Sequence, residues 1–128
     1  MEILKVDPDR PSEAILIAAA ETVLRGGVIA FPTDTLYGLG CSLFDVSAVE
    51  LVARLKRRDP SLAFISLIPD PAQGDGLAEE VPEVAERLIA RYWPGPLSLI
   101  FRAAAIVPPR GRGAGGPVAL GLPKGRVG

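Results

Sequence analysis

The sequence predicts an α/β (α+β) fold in which helices flank an open, twisted, mixed sheet, and three observations carry that reading. Short apolar runs with strand character alternate with amphipathic stretches of about a dozen residues. Most prolines and glycines fall at the joints between these segments, where they punctuate the chain. The 128 residues, 48% hydrophobic and 23% charged, suit one globular domain spanning 1–128 with a real core.

Taken in order, Met1 to Val6 alternates enough for an edge strand, and Pro8 and Pro11 close it. Ser12 is placed to cap a helix carrying Ile15, Ile17, Ala18, Val23 and Leu24, which Gly26 and Gly27 terminate. Val28 to Phe31 reads as a buried strand that stops at Pro32. Asp45 caps a second helix from Val46 to about Arg58. Its residues Ala48, Leu51, Val52 and Leu55 recur at helical spacing and predict the inner face. Ala63 to Ile68 predicts a central strand, and Pro69 to Gly76 a loop. Pro82 opens a helix to about Tyr92, with Glu79, Glu80 and Glu83 near its positive end. Leu97 to Arg102 and Val118 to Leu122 are the remaining strands.

Composition narrows the chemistry. The net charge of −1 supplies no global attraction to nucleic acid or membrane, so any anion site must be a local cluster. With no histidine, a zinc hydrolase or a Ser/His/Asp enzyme is disfavoured, and no metal-ligating cluster is expected. The lone Cys41 reads as a small buried hydrophobe rather than a nucleophile. No apolar run approaches the roughly 20 residues that span a bilayer. With no secretory segment, a cytoplasmic location without membrane attachment is expected.

Three segments carry polar groups in suggestive order. Thr33-Asp34-Thr35-Leu36-Tyr37-Gly38 follows the proline-terminated strand with hydroxyls, a carboxylate and a phenol. Asp34 reads as an Asx-turn residue, with orientation of the loop or of a ligand amine as the alternative. Lys56-Arg57-Arg58 ends the second helix. If the helix stops between them, Lys56 and Arg58 converge on one polyanion; otherwise they are ordinary cations at a helix C-terminus. Tyr92-Trp93-Pro94-Gly95-Pro96-Leu97-Ser98 joins helix to strand, with Trp93 read as a structural anchor. Gly111, Gly113 and Gly116 have GxGxxG spacing, but Pro117 and a strand follow instead of a helix, so a mobile basic loop is expected.

This ordered set, from about Val28 to Leu122, resembles the YrdC family, the threonylcarbamoyl-AMP synthases of tRNA threonylcarbamoyladenosine biosynthesis. The resemblance implies a YrdC-like sheet with a concave basic cleft. It implies a nucleotidyltransferase that combines L-threonine, bicarbonate or CO2, and ATP into threonylcarbamoyl-AMP and pyrophosphate, with Mg²⁺ accompanying the ATP. By the same resemblance Thr33, Thr35 and Tyr37 bind threonine, and Lys56 and Arg58 hold the ATP phosphates. Ser98 stands where the family usually has threonine. These hydroxyls and cations are expected to share one small hollow. No catalytic nucleophile is implied.

Three departures accompany the resemblance. Asp59-Pro60 follows Arg58, Gly121 stands where the family strand has arginine, and the chain ends at Gly128, short of the family's Ser-x-Asn motif. The expectation is a C-terminally short member, completed by self-association as a homodimer. The alternative function is a non-catalytic nucleotide- or RNA-binding module of the same fold, its partner tRNA or double-stranded RNA and its patch formed by Arg57, Arg58, Arg110 and Arg112.

Overall fold

The computed structural model describes residues 1–59, 61–113 and 116–125. Its first regular element is helix α1 (Glu13–Leu24), because Met1 to Val6 forms no strand. The Ser12 hydroxyl accepts the Ile15 amide at 3.4 Å and starts the helix. Gly26, at φ +83°, stops it: the Gly26 amide donates to Val23 and the Gly27 amide to Thr22, the paired bonds of a Schellman cap.

A short ribbon follows. Strand β1 (Ile29–Pro32) pairs antiparallel with β2 (Tyr37–Gly40), with Pro32 opposite Tyr37 and Ile29 opposite Gly40. The buried strand expected here is half-buried, since among the described residues it pairs only with the segment that turns back beside it.

Helix α2 (Val46–Lys56) begins at Asp45, whose carboxylate accepts the Ala48 amide at 2.9 Å. Its buried side chains are Ala48, Val49, Val52 and Ala53. Leu55 is 58% exposed, so the inner face is rotated from the one expected. The small side chains of Ala48 and Ala53 suit the close approach of a 3-10 turn at Pro109–Gly111, which packs on this helix. Arg110 in that turn pairs with Glu50 at 3.6 Å.

Three strands form the second sheet: β3 (Ile65–Leu67), β4 (Ser98–Arg102) and β5 (Pro117–Gly121), in the order β3-β5-β4. The β3–β5 pair is parallel and the β4–β5 pair antiparallel. The expected mixed sheet is present, although the strands of the described residues are divided between it and the ribbon. The segment around Ile65 is an edge rather than the centre, because β5 takes both neighbours. The expected loop at Pro69 to Gly76 is instead helix α3 (Pro71–Leu77). Asp70 caps it by accepting the Gln73 amide at 3.0 Å, and Pro71 occupies its first turn, a combination that stabilises helix starts. Gly74 permits its close approach to the sheet, since a Cβ there would lie 2.8 Å from Ile68 Cδ1. Helix α4 (Glu83–Tyr92) runs as expected.

One face of this sheet holds the core. Val118 and Leu120 of β5 pack there with Phe101, Ile68, Ala78, Ala85, Val107 and Trp93. Trp93 is anchored by its indole N–H, which donates to Leu97 O at 2.8 Å. Strand alternation sends Ile65, Leu67, Ser98, Ile100, Ala119 and Gly121 to the opposite face. Ile65, Leu67 and Ile100 are exposed there.

Candidate functional site

Two groups of polar residues stand out. The first is the ribbon's loop. The Thr33 hydroxyl accepts the amides of Thr35 and Leu36, at 3.3 and 3.2 Å, and donates to the Leu36 carbonyl. A hydroxyl has one donor and two acceptor positions, so all three of its positions are used inside the loop. Thr35 Oγ1 lies 3.5 Å from Thr33 Oγ1. Thr35 and Tyr37 are exposed, Tyr37 to 79%. A ligand reaching this loop meets Thr35 and Tyr37 first and must displace a bond to engage Thr33.

Asp34 does not close a local Asx turn. Its carboxylate accepts the amides of Lys124 and Gly125, at 2.9 and 2.8 Å, across 90 residues of sequence. The loop is thereby tied to the segment that leaves β5. Ser98 is exposed at the start of β4, opposite Gly121.

The second group is at the end of α2. Arg57 adopts the left-handed conformation, φ 49° and ψ 41°. Its amide donates to Arg54 and that of Arg58 to Ala53, a Schellman cap like that of α1 but built on an arginine. The helix thus stops at Lys56, two residues before the expected end. After the chain reversal both flanking cations have one aromatic neighbour: Lys56 Nζ lies 5.8 Å and Arg58 Cζ 5.0 Å from the centre of the Phe64 ring. Arg58 Nη2 also donates to Ala63 O at 2.8 Å. The neighbouring Asp59 carboxylate is held below the ordinary aspartate range, chiefly by the Ser61 backbone amide at 2.8 Å and also by the Ser61 hydroxyl.

Lys56 and Arg58 share the Phe64 ring as a neighbour. Among the described residues no hydrogen bond, ion pair or ring contact joins the two groups. Phe64 precedes the first residue of β3, whereas Lys124 and Gly125 follow the last residue of β5.

The other candidates settle into structural roles. Arg112 turns inward, donating to Val107 O at 2.8 Å and to Ala104 and Ala105 carbonyls at 3.2 Å each. With Gly111 buried in the 3-10 turn, the Pro108 to Gly113 part of the expected mobile loop is ordered. Ala114 and Gly115 lie outside the described residues. Of the arginines expected in a basic patch, Arg112 is thus turned to carbonyls and Arg110 pairs with Glu50. Cys41 is half-buried, and burial, with a smaller effect from Asp45, raises its thiol pKa. Phe64 was not legible in the sequence: no spacing rule marks one aromatic as the partner of two cations upstream.

Two cations at a helix C-terminus thus stand beside an aromatic ring next to a mixed sheet, and the chain can be compared with known proteins. The Sua5/YciO/YrdC family, described as "Telomere recombination", matches residues 21–127. The chain belongs to this family. It is 39% identical over 100 residues to a threonylcarbamoyl-AMP synthase of Pyrococcus abyssi, covering 78% of this chain and 29% of that protein. A Marinobacter nauticus threonylcarbamoyl-AMP synthase is 36% identical over 95 residues, covering 74% and 50%. The structure of Pyrococcus abyssi Sua5 complexed with L-threonine superposes with a TM-score of 0.88 at 36% identity, covering 92% of this chain and 35% of that one. Escherichia coli YciO gives 0.88 at 28% identity, covering 95% and 59%. The chain thus spans half or less of the length of these two curated relatives. Among the described residues no helix is long and apolar enough to cross a membrane.

Proposed function

We propose that this chain handles ATP and L-threonine in the synthesis of threonylcarbamoyl-AMP for tRNA modification. In that reaction the threonine amine takes up CO2, supplied directly or from bicarbonate. The resulting carbamate oxygen bonds to the α-phosphorus of ATP, and the bond to pyrophosphate breaks. Such chemistry depends on positioning and on neutralising phosphate charge rather than on a protein nucleophile. The observation that carries the reading is the convergence of Lys56 and Arg58 on Phe64 beside a capped helix end. Lysine offers a compact charge and arginine a forked donor, a combination suited to polyphosphate. Thr35 and Tyr37, with Thr33 behind them, are the hydroxyls offered to the amino acid.

Mg²⁺ belongs to this reading as part of the nucleotide substrate. It is characteristically held by phosphate oxygens and waters with one or two carboxylates, not by an all-protein cage. That fits a region whose nearest carboxylate in sequence, Asp59, is exposed and hydrogen-bonded to Ser61.

Pyrophosphate release from ATP, measured with and without L-threonine and bicarbonate, tests the proposal. Release that requires both supports the synthase. ATP binding without such release favours the second reading, a nucleotide-binding module without turnover. That reading draws on Gly121, which presents no cation beside Ser98 and Leu67 where the family strand carries arginine.

A further inference from the structure

Two cations within reach of one anion repel each other, and a binding site must hold them together before the anion arrives. Proteins often do this with a carboxylate, which also cancels the charge that the ligand needs. Here the adjacent Asp59 carboxylate is bonded to the Ser61 amide at 2.8 Å. The ion pairs among the described residues are Arg25–Glu21 and Arg110–Glu50, so neither Lys56 nor Arg58 takes part in one. What faces both is the half-buried Phe64 ring, 5.8 Å from Lys56 Nζ and 5.0 Å from Arg58 Cζ. An aromatic face attracts cations through its quadrupole and leaves their charge intact.

We propose that Phe64 is the positioning residue of this site: its ring gathers Lys56 and Arg58 at one place without neutralising them, preparing both for a polyphosphate. The inference rests on the phosphate-binding reading above and deepens it. The two cations depend on the ring unequally. Arg58 is also held by Ala63 O at 2.8 Å, one residue before the ring. Lys56 makes no hydrogen bond or ion pair among the described residues, and its Nζ lies 5.8 Å from the ring centre. Loss of the ring therefore acts mainly through Lys56.

Binding of inorganic tripolyphosphate to the full chain, measured by calorimetry, tests this on folded variants checked by far-UV circular dichroism. Phe64→Leu is expected to weaken binding about threefold to tenfold, the scale of one or two partly exposed cation–π contacts. Phe64→Trp, which keeps an aromatic face, is expected to stay within about twofold of the parent. In a Lys56→Ala background the Phe64→Leu effect should shrink, since coupled residues are not additive. If Phe64→Leu does not fold, Phe64→Met takes its place beside Phe64→Trp. The proposal is overturned if Phe64→Leu binds like the parent while Lys56→Ala and Arg58→Ala both lose affinity; the phosphate reading then survives. Equal losses for Phe64→Leu and Phe64→Trp would also overturn it, by pointing to packing alone. If the parent does not bind tripolyphosphate, or Lys56→Ala and Arg58→Ala leave binding unchanged, the phosphate reading fails and the positioning role with it.

Discussion

The amide of Arg58 donates to the carbonyl of Ala53 at 3.0 Å, reaching back over an arginine in the left-handed region. That bond ends α2 and turns the backbone so that Lys56 and Arg58 face one ring. The same cap closes α1 with Gly26, which needs no steric concession. Left-handed backbone costs a non-glycine residue roughly 1–2 kcal/mol, and here the cost falls inside the proposed phosphate site.

Arg57→Gly should therefore stabilise the fold. Relief of the left-handed strain is partly offset by the greater freedom of glycine in the unfolded chain, leaving a gain of about 0.5–1 kcal/mol. Urea denaturation measures it; a loss of stability would show that the Arg57 side chain does more than occupy the turn.

Asp34→Asn should loosen the clamp between the ribbon loop and the segment after β5. An exposed, charge-assisted pair of bonds of this kind contributes about 1–2 kcal/mol. Faster hydrogen exchange at Lys124 and Gly125, with the core amides unchanged, is the expected result.

Arg112→Met should destabilise by about 2–3 kcal/mol, because three carbonyls lose a charged donor and the methionine supplies none. Thermal unfolding tests this. The tripolyphosphate affinity of the folded variant should stay near the parental value, since the Arg112 guanidinium is engaged by three carbonyls.

The Asp59 carboxylate gives a prediction about acid. Its pKa in the folded chain is depressed, chiefly by the Ser61 amide. Its contribution to stability is therefore present above the unfolded aspartate value and lost as pH falls through the lower folded one. Asp59→Asn should flatten that part of the stability curve in acid titration, while a curve parallel to the parent's would exclude the contribution.

Much of the fold was legible because it rests on local chemistry. Ser12 and Asp45 announce helix starts by side-chain capping, and Gly26 announces a helix end. Asp70-Pro71 carries the same kind of signal for α3, in the stretch expected to be a loop. The misplaced inner face of α2 has another origin. Helical spacing admits overlapping apolar stripes, and the approach of the Pro109–Gly111 turn selected Ala48, Val49, Val52 and Ala53. The edge position of β3 was likewise hidden, since an apolar run does not say how many neighbours it has.

The candidate residues divide in the same way. Sequence alone determined that a hydroxyl-rich loop, a Lys-x-Arg pair and a Trp-Pro-Gly-Pro turn occur in the family's order, because residue identity and spacing are properties of the chain. Only the tertiary structure decided what each group meets: Thr33 its own loop, Asp34 the distant Lys124 and Gly125 amides, Arg112 three carbonyls, and the two cations Phe64. Hydrogen bonds and ring contacts depend on distance and direction in space, and a contact such as Asp34 with Lys124, 90 residues apart, is encoded by no local pattern.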